Sequence, residues 1–205
     1  MTSPVGAEAP HTLVIGCGAL ARELLALTRD LPGVEVTCVD AKLHMRPGRI
    51  ADAVGAKITE ARAARPDVRL FVAYADCGTG GTLDALLARE RVERLPGAHC
   101  YEIYAGSAAF AALQGDELGT FYLTDFLARQ FESLVVRGLG LDRHPELLPL
   151  YFGNYTRLVY LAQTDDPELT RRAEAAAERL GLRFERRFTG LGELTDPIRA
   201  LGTAA

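Results

Sequence analysis

The sequence predicts an α/β fold, a mainly parallel sheet flanked by helices in a Rossmann-like, doubly wound arrangement. Short apolar segments rich in β-branched residues alternate along the 205-residue chain with longer amphipathic segments. Turns that contain glycine or proline separate the two kinds of segment. Strands that alternate with helices in this way are joined by right-handed crossovers, which place the strands parallel in one sheet.

Three strand–helix repeats are predicted in the first half of the chain. The strands are expected at residues 11–15, 34–39 and 68–73, and the helices at 19–31, from Pro47 up to Pro66, and at 82–91. Leucines at helical spacing give the first helix one apolar face, and Pro47 suits the first turn of the second helix. Residues 94–98 are expected to return to the sheet, and residues 105–114 to form another helix.

The pattern partly repeats beyond Gly119. Strands are predicted at 120–124, 157–161 and 182–188, and helices at 125–136 and at 167–180, the latter closed by Gly181. We expect a single α/β domain over residues 11–205, with two lobes that meet near residues 115–120 as the alternative. Residues 1–10 have neither the basic nor the apolar region of a signal peptide and are predicted to form a flexible tail.

Composition excludes two classes of function. The chain has 23 Lys and Arg against 27 Asp and Glu, a net charge of −4, which argues against a broad nucleic-acid-binding surface. It has no apolar run of the roughly 18–20 residues that a membrane span needs. We therefore expect a cytoplasmic protein that binds neither nucleic acid nor membrane, in a reducing compartment where its four cysteines form no disulfides.

Three of these cysteines follow predicted strands. Cys17, Cys77 and Cys100 lie in the loops after the first, third and fourth strands, whereas Cys38 lies inside a strand and is expected in the core. Because loops at the carboxyl ends of parallel strands meet at one edge of the sheet, the three thiols are expected to converge there. Thiolates favour zinc and iron–sulfur centres, so the pattern predicts a metal site.

Neighbouring residues support that hypothesis. Gly78, which follows Cys77, lets the backbone approach a bound group closely. His44 or His99 is expected to serve as fourth ligand or as proton donor to a small-molecule substrate. Asp40 and Asp76, next to strand ends, are candidates to orient a ligand. The metal is either zinc, with an open position for a thiol or water, or a [4Fe–4S] cluster.

The first strand and turn support a different hypothesis. The segment from Leu13 to Leu24, with Gly16-Cys17-Gly18, followed by a second strand that ends at Asp40, resembles the start of a class I S-adenosylmethionine methyltransferase. The resemblance covers about thirty residues and implies that Gly16 and Gly18 pass under the cofactor and that Asp40 holds its ribose. Leu20 stands where a third glycine is usual in that family.

A second resemblance covers nearly the whole chain, from Thr12 to Phe188. Its motifs are Cys17-Gly18, Asp40-x-x-Leu43-His44-x-x-Pro47, Tyr74-x-x-Cys77-Gly78, His99-Cys100 followed by Ser107, and Gly119-Thr-Phe-Tyr-Leu-Thr124. This order is similar to that of an uncharacterised domain-of-unknown-function family often encoded beside corrinoid-dependent methyltransferases. In that family the third motif is His-Asp-Cys, whereas His99 and Cys100 are adjacent here. The resemblance implies a metal- or cofactor-linked role near methyl-group or corrinoid metabolism.

Three functions therefore follow from the sequence. The first is a metal-binding protein with ligands Cys17, Cys77 and Cys100. The second is an S-adenosylmethionine-dependent enzyme that needs no thiol cluster. The third is a non-enzymatic accessory subunit that docks on a corrinoid protein or a methyltransferase.

Overall fold

The computed structural model describes residues 11–202, so the predicted tail at residues 1–10 lies outside the described residues. The strands are β1 Thr12–Cys17, β2 Val34–Val39, β3 Arg69–Ala73, β4 Glu93–Arg94, β5 Thr120–Thr124, β6 Arg157–Ala162 and β7 Arg183–Phe188. The helices are α1 Ala21–Thr28, α2 Ile50–Ala64, α3 Thr82–Glu90, α4 Cys100–Ala105, α5 Ser107–Asp116, α6 Asp125–Gln130, α7 Leu148–Phe152, α8 Pro167–Leu180 and α9 Thr195–Ala200. A π-helical segment, Phe131–Val136, continues α6.

The chain divides into two compact units. Of the described residues, 11–99 and 194–202 form the first unit, and Cys100–Glu193 form the second. Residues 115–120, where the sequence placed a junction between lobes, connect α5 to β5 inside the second unit. The expectation of a single domain stays a prediction.

The first unit contains a four-stranded parallel sheet in the order β2-β1-β3-β4. Every residue of β1 is buried, as expected for a central strand that is paired on both sides. Leu24 of α1 packs so closely on this strand that a Cβ atom at Gly16 would lie 2.3 Å from Leu24 Cδ1. Gly16, the first residue of the glycine-rich turn, is therefore small because a helix packs against it.

Cys38 departs from the prediction of a core residue. It lies in β2, the outer strand of the sheet, and is only half-buried. An edge strand has a neighbour on one side only, which explains why its residues are less covered than those of β1.

The second unit contains a three-stranded parallel sheet in the order β5-β6-β7. The central strand β6 is completely buried. Helix α8 and the π-helical segment cover one face of the sheet, and α5 covers the other through Phe110 and Leu113, which pack on Tyr122 and Leu161. Helix α8 begins at the Asp166 cap, which accepts the Glu168 amide at 2.8 Å, and ends at Gly181 with φ 70°.

Both sheets are purely parallel and flanked by helices, so the predicted α/β class is confirmed. Helices α4, α7 and α9 were not predicted. The predicted return of residues 94–98 to the sheet is wrong for residues 95–98, because β4 consists of Glu93 and Arg94 only. Among the helices within residues 11–202, none has both the length and the apolar character needed to cross a membrane.

Candidate functional site

The candidate site lies at the carboxyl ends of β1 and β3, adjacent strands in the middle of the first sheet. The chain passes from β1 to β2 on one side and from β3 to β4 on the other, so these two ends flank the point where the strand order reverses. Open parallel sheets bind ligands at such switch points. Cys17 is the last residue of β1, and Cys77 lies in the loop after β3.

The loop after β3 is closed around one carboxylate. Asp76 accepts hydrogen bonds from the Thr79 hydroxyl at 2.5 Å, from the Gly78 amide at 3.2 Å and from the Gly81 amide at 3.2 Å. The Thr79 bond is the largest of the contributions that lower the pKa of Asp76 below its ordinary value. The Asp76 carboxylate thus occupies the position at which these amides would otherwise bind an external anion, and it holds the loop in one conformation.

Cys77 has an unusual backbone. Its φ angle is 50°, one of only two positive values among non-glycine residues in the described part of the chain. A side chain in this left-handed region costs about 1–2 kcal/mol, because Cβ approaches the following carbonyl oxygen. The Cys77 amide donates to the Ala98 carbonyl at 2.8 Å, and the Asp76 amide donates to the Gly97 carbonyl at 3.1 Å. The fold therefore maintains a strained cysteine at the edge of the sheet.

Arg94 organises the backbone segment that holds Cys77. Its guanidinium pairs with both oxygens of Asp84, at 2.6 and 3.0 Å, and donates to the Leu95 carbonyl at 2.6 Å. A weaker bond of 3.4 Å reaches the Gly97 carbonyl. Arg94 also interacts electrostatically with Cys77, which is the smallest of the effects on its guanidinium. A nearby guanidinium favours the thiolate form.

Cys17 has a different environment. Burial is the largest effect on this thiol and raises its pKa above the ordinary value, assisted by the negative charge of Asp40. Hydrogen bonds from the Tyr74 hydroxyl and the Ala19 amide oppose this rise only in part. Cys17 is therefore a protonated thiol at neutral pH.

The two histidines predicted for the site belong to the first unit. His99 directly follows the segment that pairs with Cys77, and His44 lies in the 3-10 turn after β2. Loss of hydration lowers the pKa of His44, and the charge of His99 lowers it further. His44 is exposed, and its lowered pKa makes the neutral imidazole the main form at pH 7.

The glycines and the aspartate predicted to bind a cofactor have structural uses. A Cβ at Gly18 would lie 2.9 Å from the Val39 carbonyl oxygen, so Gly18 lets the end of β1 approach β2. Asp40 accepts the Lys42 amide at 2.9 Å and caps the following turn. Gly78 has φ 81° and takes part in the loop around Asp76.

Cys100 is not in a loop as predicted. It is the first residue of α4 and belongs to the second unit, where it is half-buried. Within residues 11–202, no group of three or more His, Cys, Asp or Glu side chains is arranged to hold a metal ion. The metal role of Cys17, Cys77 and Cys100 stays a prediction, as do the catalytic roles of His44 and His99.

Sequence reasoning missed two features of the site. The loop closed by Asp76 could have been found from the Asp-x-x-Thr spacing of Asp76 and Thr79, which suits a side-chain-closed turn. The contact of the Tyr74 hydroxyl with Cys17 joins residues 57 positions apart, and no local pattern predicts it.

The fold and the site define a Rossmann-like α/β protein with cysteines at the carboxyl ends of its central strands. The chain belongs to the family described as "Protein of unknown function (DUF1638)", whose sequence model matches residues 38–198. Comparison with curated proteins and with solved structures found no match.

Proposed function

We propose that this protein acts through the thiol of Cys77, which binds or attacks a soft ligand at the carboxyl ends of β1 and β3. The observation that carries the proposal is the backbone of Cys77, held at φ 50° by a loop that is itself closed around Asp76. Glycine would occupy this position without strain, so the presence of a cysteine there has a cost. Strained residues of this kind concentrate at functional sites.

The environments of the two thiols support a division of roles. Both thiols are buried; burial keeps Cys17 protonated, whereas Cys77 also interacts with the positive charge of Arg94. In this proposal the Arg94 charge makes Cys77 the nucleophile or ligand, and the protonated thiol of Cys17 is the proton donor. His44, neutral at pH 7, is the proposed acceptor for a proton released from the site.

Site-resolved alkylation tests the proposal. The full chain is treated with iodoacetamide over a range of pH, and modification of each cysteine is followed by peptide mass spectrometry. We expect Cys77 to react faster than Cys17 at pH 7, and Cys17 to react only as the pH rises. Cys38, half-buried and with a raised pKa, is the internal reference. A Cys77 rate no higher than that of Cys38 would refute the proposal.

A metal-binding form of this function is also proposed, with zinc or a [4Fe–4S] cluster on Cys17, Cys77 and Cys100. The chemistry of the donors fits such a centre. Within residues 11–202 no group of three or more His, Cys, Asp or Glu side chains is arranged to hold a metal ion, so this form of the proposal rests on the chemistry of the donors alone. Elemental analysis and an absorption spectrum of anaerobically purified protein test this form, and colourless protein with substoichiometric metal would exclude it.

Two alternatives come from the sequence resemblances. The S-adenosylmethionine alternative uses Gly16, Gly18 and Asp40, and calorimetric binding of that cofactor, retained after Cys77→Ala, would favour it over thiol chemistry. The alternative of an accessory subunit in a corrinoid or methyltransferase system requires a protein partner. Pull-down with the isolated chain, combined with a turnover assay, separates a subunit from an enzyme.

A further inference from the structure

The second unit contains a pocket that the thiol chemistry does not use. Its volume is about 470 Å³, within the roughly 300–1,000 Å³ of typical ligand pockets. It lies between α5 and the last two strands, β6 and β7, and none of the four cysteines lines it. Its apolar wall is formed by Tyr104, Ala109, Ala112, Leu113 and Leu161.

The pocket exists because α5 covers β6 but leaves β7 open. Leu113 of α5 packs in the cluster that contains Leu161 of β6. The neighbour of Leu161 on β7 is Arg187, an exposed residue that lines the pocket in place of an apolar side chain. A charged residue on the sheet face beside a helix needs a polar partner, and here it faces an open space.

Arg187 presents its guanidinium to this space. Its Nε donates to Glu185 Oε1 at 2.5 Å, and Glu185 Oε2 lies 3.2 Å from the buried Arg157. This chain of ion pairs orients the guanidinium plane. The two terminal amino groups of Arg187 make no hydrogen bond to any residue within 11–202. A guanidinium with two available amino groups matches a carboxylate.

Asp116 presents a carboxylate at the other end of the pocket. Its side chain lines the pocket and has no hydrogen bond or ion pair among the described residues. The second acidic residue of the lining, Glu193, is already engaged, because its oxygens accept the Ser107 amide at 3.0 Å and the Ser107 hydroxyl at 3.4 Å. Asp116 is thus the carboxylate available to an ammonium group.

The two available charges lie far apart along the sheet. The Leu113 carbonyl, near the end of α5, accepts from Arg157, the first residue of β6, so Asp116 lies toward the amino ends of the strands. Arg183 is the residue of β7 that pairs with Arg157. Arg187 lies four residues further along the strand, near its carboxyl end. At about 3.3 Å per strand residue, the two charges are separated by on the order of 10 Å.

We infer that this pocket binds a small zwitterion whose carboxylate and ammonium groups are separated by an apolar stretch, such as an ω-amino acid or a dipeptide. The carboxylate pairs with Arg187, the ammonium pairs with Asp116, and the apolar stretch lies against Leu113 and Leu161. This inference goes beyond the proposed function, since it concerns the other unit and requires no thiol.

Calorimetry with 6-aminohexanoate at millimolar concentration tests the inference on the full chain. Three compounds serve as comparisons. Hexanoate lacks the ammonium, hexylamine lacks the carboxylate, and L-leucine has both charged groups attached to one carbon. We expect 6-aminohexanoate to bind more tightly than all three. Arg187→Met and Asp116→Asn should each weaken it by about tenfold or more, because each removes one charged pair.

Arg183→Met is the matched control, since Arg183 lies on the same face of β7 and pairs with the same Glu185 but does not line the pocket. It should leave the affinity within about twofold. Absence of binding, equal affinity for hexanoate, or equal affinity in Arg187→Met and wild type would each overturn the inference. Cys77→Ser should bind 6-aminohexanoate as wild type does. Failure of this inference would therefore leave the proposal for Cys77 unchanged, and failure of that proposal would leave this inference unchanged.

Discussion

The Asp76 carboxylate accepts the Thr79 hydroxyl at 2.5 Å and turns the loop after β3 back on itself. This bond, with those from the Gly78 and Gly81 amides, replaces the hydrogen bonds that the loop backbone would otherwise make to water or to a ligand. The loop is therefore preorganised before any ligand arrives. Cys77 lies in this loop, so its backbone is preorganised as well.

Replacing Asp76 should loosen the loop. Asp76→Ala leaves three donors without their acceptor and should lower the free energy of unfolding by about 1–3 kcal/mol. Urea unfolding measures the loss, and hydrogen exchange of the Gly78 and Gly81 amides locates it. Asp67→Ala, an exposed aspartate just before β3, is the control and should stay within about 0.5 kcal/mol of wild type. An equal effect of both substitutions would show that the loop does not depend on Asp76.

The same residue predicts a pH dependence. Its hydrogen bonds lower the pKa of Asp76 below the ordinary value of 3.8, so its stabilising contribution is fully present above that value. The contribution is lost as the pH falls through the lower, folded-state pKa. Asp76→Asn has no carboxylate to titrate, so the difference in unfolding free energy between wild type and this variant should shrink between pH 5 and strongly acidic pH. A constant difference would contradict this prediction.

The strain at Cys77 predicts an unusual order of stabilities. Cys77→Gly should be more stable than Cys77→Ala by about 1 kcal/mol, since only glycine adopts φ 50° without cost. Cys17 provides the control, because its φ of −69° and ψ of 135° are ordinary for any residue. Here Cys17→Ala should be more stable than Cys17→Gly by about 0.5–1 kcal/mol. Thermal and urea unfolding of the four variants give both differences. If alanine is favoured at both positions, the Cys77 backbone is not strained.

Arg94 should control the reactivity of Cys77. Arg94→Met removes the charge beside the thiol and should slow its alkylation at neutral pH by roughly threefold to tenfold, equivalent to at most about one pKa unit. Arg94→Lys keeps the charge but loses the paired bonds to Asp84, so it should recover part of the rate. Arg89→Met, on the exposed side of α3, should react as wild type does. A Cys77 rate that is the same in all four proteins would exclude this role for Arg94.

The sequence predicted those parts of the fold whose signals are local. β2, β5 and α8 occur at their predicted residues, because β-branched and aromatic residues mark the strands and Gly181 marks the end of the helix. Helix α4 escaped prediction because its six residues give no apolar period. Cys100 was consequently placed in a loop.

The candidate site was predicted in part for the same reason. Topology alone places Cys17 and Cys77 at the carboxyl ends of adjacent strands, so these two positions followed from the order of elements. The loop around Asp76 and the positive φ of Cys77 depend on contacts that no periodicity encodes. Arg94 lies on a two-residue edge strand, where a charge is ordinarily a surface feature, and its contacts with Asp84 are visible only in three dimensions.

The buried carboxylate of Asp125 should be the most sensitive position in the second unit. It is completely buried and accepts the Tyr160 hydroxyl at 2.7 Å, the Gln163 amide at 3.0 Å, and the amide and hydroxyl of Thr164 at 3.1 and 2.5 Å. Its charge and its hydrogen bond help to raise the pKa of Tyr160, whose largest cause is burial, so the Tyr160 hydroxyl stays protonated and continues to donate. The carboxylate therefore ties the ends of β5 and β6 together.

Asp125→Ala should lower the free energy of unfolding by on the order of 3 kcal/mol or more, since several buried donors lose their acceptor. Tyr160→Phe removes one of those donors and leaves the others paired, so it should cost about 1 kcal/mol. Asp142→Ala, at an exposed surface position, should change stability by less than about 0.5 kcal/mol. Urea unfolding followed by circular dichroism measures all three. An Asp125→Ala cost no larger than that of Tyr160→Phe would mean that water replaces the lost acceptor, and that the network is not what joins the two strand ends.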